Sequence, residues 1–340
     1  MRFNRMLFNR NLPSSDFDTQ YVYDVFHNDE KKLVIIMPAE CDPPRIEYVC
    51  SKFNLLFELH VCPHNHTFIY ELKLETEYAE NIELRINDKI FSVNVSKYPE
   101  FRNEIIMSTI VLNEDDYIRQ WIKYHMNIGV SRFIIYDNSK NNESNLTQVL
   151  GDFIEKEIVV LIEWPYPYAL PKSSLSGQTT QQNHSIYAFR TSKYIGLFDV
   201  DEYVNMQTHT NLNSCFDSLI AQNGINTNDI GSFRLLNKFF VNPDNLPTTR
   251  YDFLSIFSCA EITLDGHEKN FVIPTNVHTF SVHMITSGKP MYCIDFNTIY
   301  FNHYVFLNKS PTSSNRHTNG MNIYLQDNTI LKHCDFITDP

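Results

Sequence analysis

The sequence lacks the features that mark several common classes of protein. It has no apolar run of about 18 residues, and its first residues do not form the continuous apolar segment of a signal peptide. It also has no long run of Lys and Arg, and its formal net charge is −12. Because nucleic-acid binding needs clustered positive charge, we do not expect a nucleic-acid partner. We expect a soluble chain without a transmembrane segment, in a cytoplasmic compartment.

Paired cysteines and glycine-rich phosphate loops are absent as well. The seven cysteines include no C-x-x-C pair and their number is odd, which indicates mostly reduced, buried thiols. The sequence contains neither G-x-G-x-x-G nor G-x-x-x-x-G-K-[ST], so it has no dinucleotide fingerprint and no P-loop. A chain without these loops can bind a nucleotide only if it holds the phosphate groups in another way.

The first hundred residues have a β-rich pattern. After a loosely held arm of residues 1–20, short and often alternating apolar runs separated by turn residues predict strands throughout 21–100. Asn87 and Asp88 lie between two such runs and predict a hairpin turn. We interpret residues 21–100 as a small accessory β domain.

From residue 104 the pattern changes to alternating strands and helices. Strand–helix repeats with right-handed crossovers predict an α/β fold with a mostly parallel sheet flanked by helices. We assign residues 104–320 to this domain and 321–340 to a C-terminal tail. The predicted buried strands are Ile105–Leu112, Arg132–Tyr136, Glu157–Glu163 and Tyr194–Phe198.

The strongest chemical signal is the stretch YIGLFDVDEYV, Tyr194–Val204. It is an apolar strand that runs into Asp199, Asp201 and Glu202. Because side chains alternate along a strand, we expect the two aspartates on one face and Glu202 on the other. Two adjacent carboxylates need a positive neighbour, and oxygen ligands favour Mn²⁺ or Mg²⁺. The pattern predicts a metal site at the carboxyl end of the strand, where open sheets bind ligands. A solvated acidic turn is the alternative interpretation.

Three segments carry motifs that occur in the same order in one known family. They are STIVLNEDDYIRQWIKYHMNIGVSRFIIYDNS (Ser108–Ser139), GQTTQQNHSIYAFRTSKYIGLFDVDEYV (Gly177–Val204) and FNHYVFLNKS (Phe301–Ser310). Together they resemble the family-92 glycosyltransferases, a GT-A-fold group once catalogued as a domain of unknown function. A viral member of this family is one interpretation. The segment around residues 225–265 departs most from the family pattern.

The resemblance implies a nucleotide-diphospho-sugar transferase of GT-A fold and a set of site residues. Asp199 and Asp201 would hold the metal, Mn²⁺ or Mg²⁺. His283, expected on a β-strand, would complete the metal shell, with His303 as the competitor. For Asp137, capping of the turn that follows is the alternative role. The nucleotide-sugar-binding residues that the resemblance implies are Asn113, Glu114, Asp137, Gln178, Asn183, Asp199 and Lys309.

The resemblance also implies the reaction, the transfer of a hexose from a nucleotide-diphosphate donor to a hydroxyl of a glycan or glycoprotein. UDP-sugar is the favoured donor, and the family inverts the anomeric centre. Inversion needs a carboxylate base near the acceptor, for which we choose Asp252, with Asp244 and Glu261 as alternatives. Two other functions stay open, namely a metal-dependent nucleotidyl- or phosphotransferase and a glycan-binding module without activity.

Overall fold

The structure of the chain is a computed structural model. Within the residues that it describes, no helix has both the length and the apolar character needed to cross a membrane. The described residues are 2–3, 22–28, 32–39, 42–49, 54–62, 67–74, 80–112, 117–139, 144–170, 175–241, 257–259, 266–307 and 325–334.

The first hundred residues contribute ten of the described strands, most of them in two sheets that share one core. These strands are β1 (Arg2–Phe3), β2 (Asp24–His27), β3 (Lys32–Pro38), β4 (Ile46–Val49), β5 (Asn54–Leu56), β6 (Glu58–Val61), β7 (Thr67–Lys73), β8 (Asn81–Ile86), β9 (Lys89–Asn94) and β10 (Ser96–Lys97). One sheet has the order β10-β2-β3-β7-β6 and the other the order β5-β4-β8-β9. Ile35 from the first sheet and Leu84 and Phe91 from the second lie in one apolar cluster.

The alternation of side chains explains how one face of these strands becomes buried. Strand β8 buries Ile82, Leu84 and Ile86, while the residues between them are exposed or half-buried. In the turn to β9, Asn87 has a φ of 53°, a left-handed conformation that Asn tolerates better than most residues. The β8–β9 pairing confirms the hairpin predicted at Asn87 and Asp88.

The rest of the described strands and all described α-helices lie beyond residue 104. The strands are β11 (Ile105–Val111), β12 (Arg132–Asp137), β13 (Val159–Glu163), β14 (Tyr194–Leu197), β15 (Glu202–Met206), β16 (Ser232–Leu235), β17 (Asn237–Phe240), β18 (Ser258–Cys259), β19 (Lys269–Val272), β20 (Val277–Ser281), β21 (Met284–Gly288), β22 (Met291–Cys293), β23 (Ile299–Tyr304) and β24 (Leu325–Gln326). The helices are α1 (Ile118–Asn127), α2 (Leu146–Val149), α3 (Gly151–Glu155), α4 (Ser176–Ala188) and α5 (Leu212–Asn223).

An eight-stranded sheet forms the centre of this region, in the order β1-β13-β12-β11-β14-β19-β16-β22. Strands β13, β12, β11 and β14 are parallel, and β19 runs antiparallel to both of its neighbours. A second sheet has the order β15-β23-β17-β18-β24. The mostly parallel sheet with helical connections confirms the α/β fold class predicted from the sequence.

Helix α4 lies between the central sheet and the N-terminal sheet, in contact with β3, β7, β11 and β20. All thirteen of its residues are buried, although many are polar. Both sheets supply hydrogen-bond partners to this helix. The Thr180 hydroxyl bonds to Thr67 of β7, and Gln181 donates to Ser108 of β11. Such a helix has no solvent face, which explains why its sequence shows little amphipathic pattern.

Helix α1 supplies two aromatic residues that we interpret as core. Trp121 and His125 are both fully buried, and the Trp121 indole donates to the Glu202 carbonyl at 2.9 Å. His125 Nδ1 bonds to the Trp121 carbonyl, which can only accept, so Nδ1 carries the proton. Burial lowers the pKa of His125 to about 3 and keeps the ring neutral. Both residues therefore hold the core and the strand that follows the acidic residues.

The ends of the chain also contact the central region. Strand β1, within the segment interpreted as an arm, pairs with β13 and forms the edge of the central sheet. Ile330 and Cys334, in the segment interpreted as a tail, pack in the same apolar cluster as β15. The domain limits drawn from the sequence stay a prediction. No disulfide joins the described cysteines, and Cys62, Cys215, Cys259 and Cys334 are buried, as expected for reduced thiols.

Candidate active site

A cavity of about 470 Å³ lies at the carboxyl ends of β11, β12 and β14. Parallel strands end at the same edge of a sheet, and the loops that follow them leave a crevice there. Part of the wall is apolar, and the rest carries carboxylate, imidazole, amide and ammonium groups. The lining residues are Ile110, Val111, Leu112, Tyr117, Asn138, Tyr168, Leu175, Gln178, Asp199, Val200, Asp201, Glu202, His267, Lys269, Val282, His283, His303 and Leu307.

The acidic residues lie in and beside a tight turn after β14, not on one strand. Strand β14 ends at Leu197, and β15 begins at Glu202. The Glu202 amide donates to the Asp199 carbonyl at 3.1 Å, and the Asp199 amide donates to Glu202 Oε2 at 2.8 Å. The expectation that Asp199 and Asp201 project from one strand face is therefore wrong. Glu202 does not point away from Asp201 as expected, because the turn gathers the three carboxylates.

Lys269 is the positive neighbour of Asp199. It is the first residue of β19, and its Nζ lies 2.6 Å from Asp199 Oδ2 and 3.1 Å from Glu202 Oε2. The Lys269 side chain is only 2% exposed, whereas Asp199 is 42% exposed. Burial disfavours the charge on Lys269, but the two carboxylates outweigh it and raise the pKa of Lys269. Burial likewise opposes ionisation of Asp199, but Lys269 outweighs it and lowers the pKa of Asp199.

Glu202 is left with one carboxylate oxygen uncompensated. Its Oε2 accepts from Lys269 and from the Asp199 amide, but its Oε1 is buried and has no hydrogen-bond partner among the described residues. Burial, together with repulsion from Asp199 and Asp201, raises the pKa of Glu202 to about 8 despite the nearby ammonium. One lysine therefore does not neutralise the three acids, and a buried oxygen of this kind is costly without a further positive partner.

His303 completes this acidic group. Strands β15 and β23 pair so that His303 lies opposite Glu202. His303 Nε2 is 3.5 Å from Asp201 Oδ2, and Nδ1 is 3.8 Å from Glu202 Oε1. Burial would lower the pKa of His303, but the carboxylates outweigh it and raise that pKa. One ligand atom from each of Asp201, Glu202 and His303 lies within 4.8 Å of the others. With the uncompensated Glu202 oxygen, this set fits a divalent cation.

His283 lies in the same cavity but outside that three-residue group. The segment expected as one strand is a hairpin, β20–β21, and His283 lies in its turn. Its Nδ1 bonds to the Glu268 carbonyl at 2.9 Å, which leaves Nε2 as the unprotonated ring nitrogen. Burial and the charge on Lys269 lower the pKa of His283 to about 4. The geometry therefore favours His303, the competitor named from the sequence, as the histidine beside the carboxylates.

Gln178 faces the cavity, as the resemblance implies. Its side chain lies between two other lining residues, since Gln178 Nε2 donates to Asp199 Oδ1 at 3.4 Å and the Tyr168 hydroxyl donates to Gln178 Oε1 at 2.9 Å. The Gly177 amide also donates to the Tyr168 carbonyl at 2.9 Å. The start of α4 thus connects the loop that carries Tyr168 to the acidic turn.

We expect Gly177→Ala to destabilise the protein by about 1–3 kcal/mol. A Cβ at Gly177 would lie 2.4 Å from the Tyr168 carbonyl oxygen, so the loop would have to move away from α4. Urea denaturation at neutral pH measures the loss. The matched control is Gly151→Ala at the start of α3, where a Cβ meets nothing within 4 Å. Equal stability changes in the two variants would contradict the assignment of Gly177 as a close-approach position.

Two of the implied donor-binding residues have other partners. Asp137 Oδ1 accepts from the Ser139 amide at 3.0 Å, which is the turn-capping alternative. Asn183 is fully buried and bonds to the backbone N–H and carbonyl of Phe280. Neither side chain lines the cavity, whereas Asn138, next to Asp137, does. The six other site residues named from the sequence, Asn113, Glu114, Asp244, Asp252, Glu261 and Lys309, lie outside the described residues.

Several cavity residues were not identified from the sequence. His267 lies just before strand β19 and Lys269 begins it, shortly after the segment 225–265 where the family likeness is weakest, and Tyr168 lies in a loop rich in Pro and Ser. Lys269 is 70 residues from its partner Asp199 along the chain, so no local pattern joins them. A pair of charged residues before a buried strand is the only signal that the sequence offers for Lys269.

Comparison with known proteins places the chain in a family. The model of glycosyltransferase family 92 matches residues 105–333, which is more than half of the chain. A family 92 protein of Ricinus communis is 28% identical over 112 residues, 32% of this chain and 18% of the relative. One of Arabidopsis thaliana is 28% identical over 118 residues, 32% of this chain and 17% of the relative. The matched part is thus less than a fifth of these relatives.

Solved structures also align with the chain. The S. aureus TarS fragment 1–349 in complex with UDP has a TM-score of 0.35 at 12% identity, and the match covers 60% of this chain and 61% of that one. The bifunctional glycosyltransferase WbbM has a TM-score of 0.28 at 12% identity, with 74% and 40% covered. On the family match and its ordered motifs, the chain belongs to glycosyltransferase family 92 and has the GT-A α/β fold expected of it.

Proposed function

We propose that this chain is a metal-dependent, inverting glycosyltransferase that moves a hexose from a nucleotide-diphosphate donor to a glycan hydroxyl. UDP-sugar is the favoured donor, on the family resemblance, and a glycan or glycoprotein is the acceptor. The observation that carries the proposal is the group of Asp201, Glu202 and His303 in the cavity wall, with a buried Glu202 oxygen that has no hydrogen-bond partner among the described residues. Glycosyl transfer with a diphosphate leaving group needs positive charge at such a place.

The cavity wall has the two kinds of surface that such a donor needs. Near the ends of β11, Ile110, Leu112 and Tyr117 supply apolar surface that suits a nucleoside. The charged residues come from the turn before β15, from β15 and from β23, where Asp201, Glu202 and His303 would hold Mn²⁺ or Mg²⁺. When bound, the divalent cation supplies Lewis-acid charge next to the diphosphate. The protein itself orients the donor and excludes water around the reacting carbon.

Screening UDP- and GDP-sugars for Mn²⁺-dependent hydrolysis tests the donor and the metal together. We expect turnover with at least one UDP-sugar, and its loss when EDTA is added. The anomeric configuration of the transferred sugar, read by NMR, tests inversion. Variants Asp252→Asn, Asp244→Asn and Glu261→Gln then test the proposed base, with Asp252 expected to matter most. Retention of the anomeric configuration would contradict the inverting mechanism.

The same assays separate the two alternative functions. A nucleotidyl- or phosphotransferase would turn over nucleoside triphosphates, and we expect no such turnover here. A glycan-binding module without activity would show no metal-linked heat when UDP is titrated calorimetrically. The family match and the presence of all three acids favour the transferase over both alternatives.

We expect His303→Ala to weaken Mn²⁺ binding to the metal-free protein by at least about tenfold, because it removes one of the three clustered ligands. His283→Ala is the matched control, since His283 is a cavity histidine that donates to a backbone carbonyl outside that group. Electron paramagnetic resonance of free Mn²⁺ measures both affinities. If His283→Ala caused the larger loss, His283 would be the metal ligand and His303 would not.

A further inference from the structure

Lys269 has a role in this cavity that neither the sequence motifs nor the family match assigns. Resting on the proposed function, we infer that Lys269 is a fixed internal cation that sets the affinity of the acidic site for its divalent metal. It does so as a positioning residue, by holding Asp199 and one oxygen of Glu202, while its charge opposes the incoming cation.

The contacts divide the three acids into two groups. Asp199 Oδ2 and Glu202 Oε2 both face the Lys269 ammonium, at 2.6 and 3.1 Å. Glu202 Oε1 instead lies on the side of His303, 3.8 Å from Nδ1, and Asp201 lies on that side too. Lys269 thus engages one oxygen of Asp199 and one of Glu202, and it leaves Asp201 and the other Glu202 oxygen to a second cation.

The charges of the two groups are complementary to a divalent ion. With Glu202 ionised and His303 neutral, the forms in which both side chains bind a metal, three carboxylates and one ammonium leave two negative charges, which one divalent cation neutralises. Without Lys269, three negative charges would remain in a buried site and would attract a divalent cation more strongly. The repulsion between an ammonium and a divalent cation a few ångströms apart exceeds the loss that follows removal of one orienting contact. Removing the lysine should therefore tighten metal binding.

A purely structural role does not explain the position of this lysine. Lysines are rarely buried, yet Lys269 is 2% exposed and lines the cavity. Its two carboxylate partners are themselves cavity residues, so the charges that Lys269 compensates are charges that face the site. The backbone of β19 already holds this edge, because β19 pairs with β14 and β16 on its two sides.

Three variants test the inference through Mn²⁺ binding to the metal-free protein, measured by calorimetry and electron paramagnetic resonance. We expect Lys269→Met to bind Mn²⁺ at least about tenfold more tightly than the unaltered protein. Lys269→Arg keeps the charge and should stay within about threefold. The double variant Lys269→Met/Asp199→Asn removes one positive and one negative charge together, so it keeps the net charge of the site and should also stay within about threefold.

The outcomes separate this inference from the proposed function. If the unaltered protein binds Mn²⁺ but Lys269→Met binds it equally or less tightly, Lys269 is structural and the inference is overturned. If Lys269→Met does not fold, the double variant decides: unchanged affinity supports the inference, and a tenfold loss makes Asp199 a direct ligand and overturns it. If the unaltered protein binds neither Mn²⁺ nor Mg²⁺, the metal-dependent function and the inference both fail.

Discussion

Replacing Asp201 by asparagine should lower metal-dependent donor turnover by about a thousandfold while the fold stays intact. Asparagine has the same shape but lacks the negative charge that Asp201 presents to the cavity beside His303. The backbone role of Asp201 is unaffected, because its carbonyl, which accepts from the Tyr304 amide at 2.9 Å, is present in both residues. Initial rates with the active UDP-sugar at saturating Mn²⁺ measure the loss, and circular dichroism confirms the fold.

A matched control for this variant lies on the surface of the same domain. Asp217 on α5 is 64% exposed and pairs with Lys193 at 3.1 Å. It is not one of the residues that line the cavity. Exposed pairs contribute little, so Asp217→Asn should keep activity within about twofold. Undiminished Mn²⁺-dependent turnover in Asp201→Asn would remove Asp201 from the metal site.

The strands that form the cavity edge could be predicted because each is a continuous apolar run. β11, β12 and β14 are buried on both faces, and parallel strands of that kind read as unbroken hydrophobic segments. The ends of such strands meet at one edge of the sheet, so the sequence could predict that the acidic stretch after β14 lies at that edge. The error lay in extending the strand through Asp199 and Asp201, because a tight turn there has no Gly or Pro to mark it.

The hairpin that carries His283 was hidden for a related reason. The stretch VHTFSVHMI contains no Gly, Pro, Asn or Asp, and such a run is typical of one strand. The turn instead uses Val282 at a φ of 42°, a left-handed conformation that a β-branched residue rarely adopts. The side-chain Nε2 of Gln182, on α4, donates to the Val282 carbonyl at 3.3 Å, so a tertiary contact supports the turn. No local propensity predicts such a conformation.

One buried carboxylate joins the C-terminal segment to β17 and β23, and we expect Asp327→Asn to destabilise the protein by about 3 kcal/mol at neutral pH. Asp327 Oδ2 accepts from Lys238 Nζ at 2.6 Å and from the Tyr300 hydroxyl. Asp327 Oδ1 accepts from the amide and the hydroxyl of Thr329, at 3.0 and 2.7 Å. Both charged partners are largely buried, at 12% and 6% exposure, so the variant would leave the lysine without its counter-ion.

The same carboxylate predicts an acid limit of stability. Burial opposes its ionisation, but the bonds from Lys238, Tyr300 and Thr329 outweigh burial and lower the pKa of Asp327 to about 2. Because its folded pKa lies below that of the unfolded chain, Asp327 stabilises the protein above about pH 4, and this contribution disappears as the pH falls towards 2. The difference between the two pKa values corresponds to about 2.5 kcal/mol.

Urea denaturation at pH 7 and at pH 3 measures both effects of Asp327. Asp327→Asn should lower stability at pH 7 and flatten its decline towards pH 3. Asp295→Asn is the control, since Asp295 is exposed and its side chain accepts from the Asn297 amide. The double variant Asp327→Asn/Lys238→Met should recover part of the loss, because removing both partners leaves no unpaired buried charge. If Lys238→Met lowered the free energy of unfolding by the same amount with and without Asp327→Asn, the two residues would act independently. The ion pair would then not hold this segment.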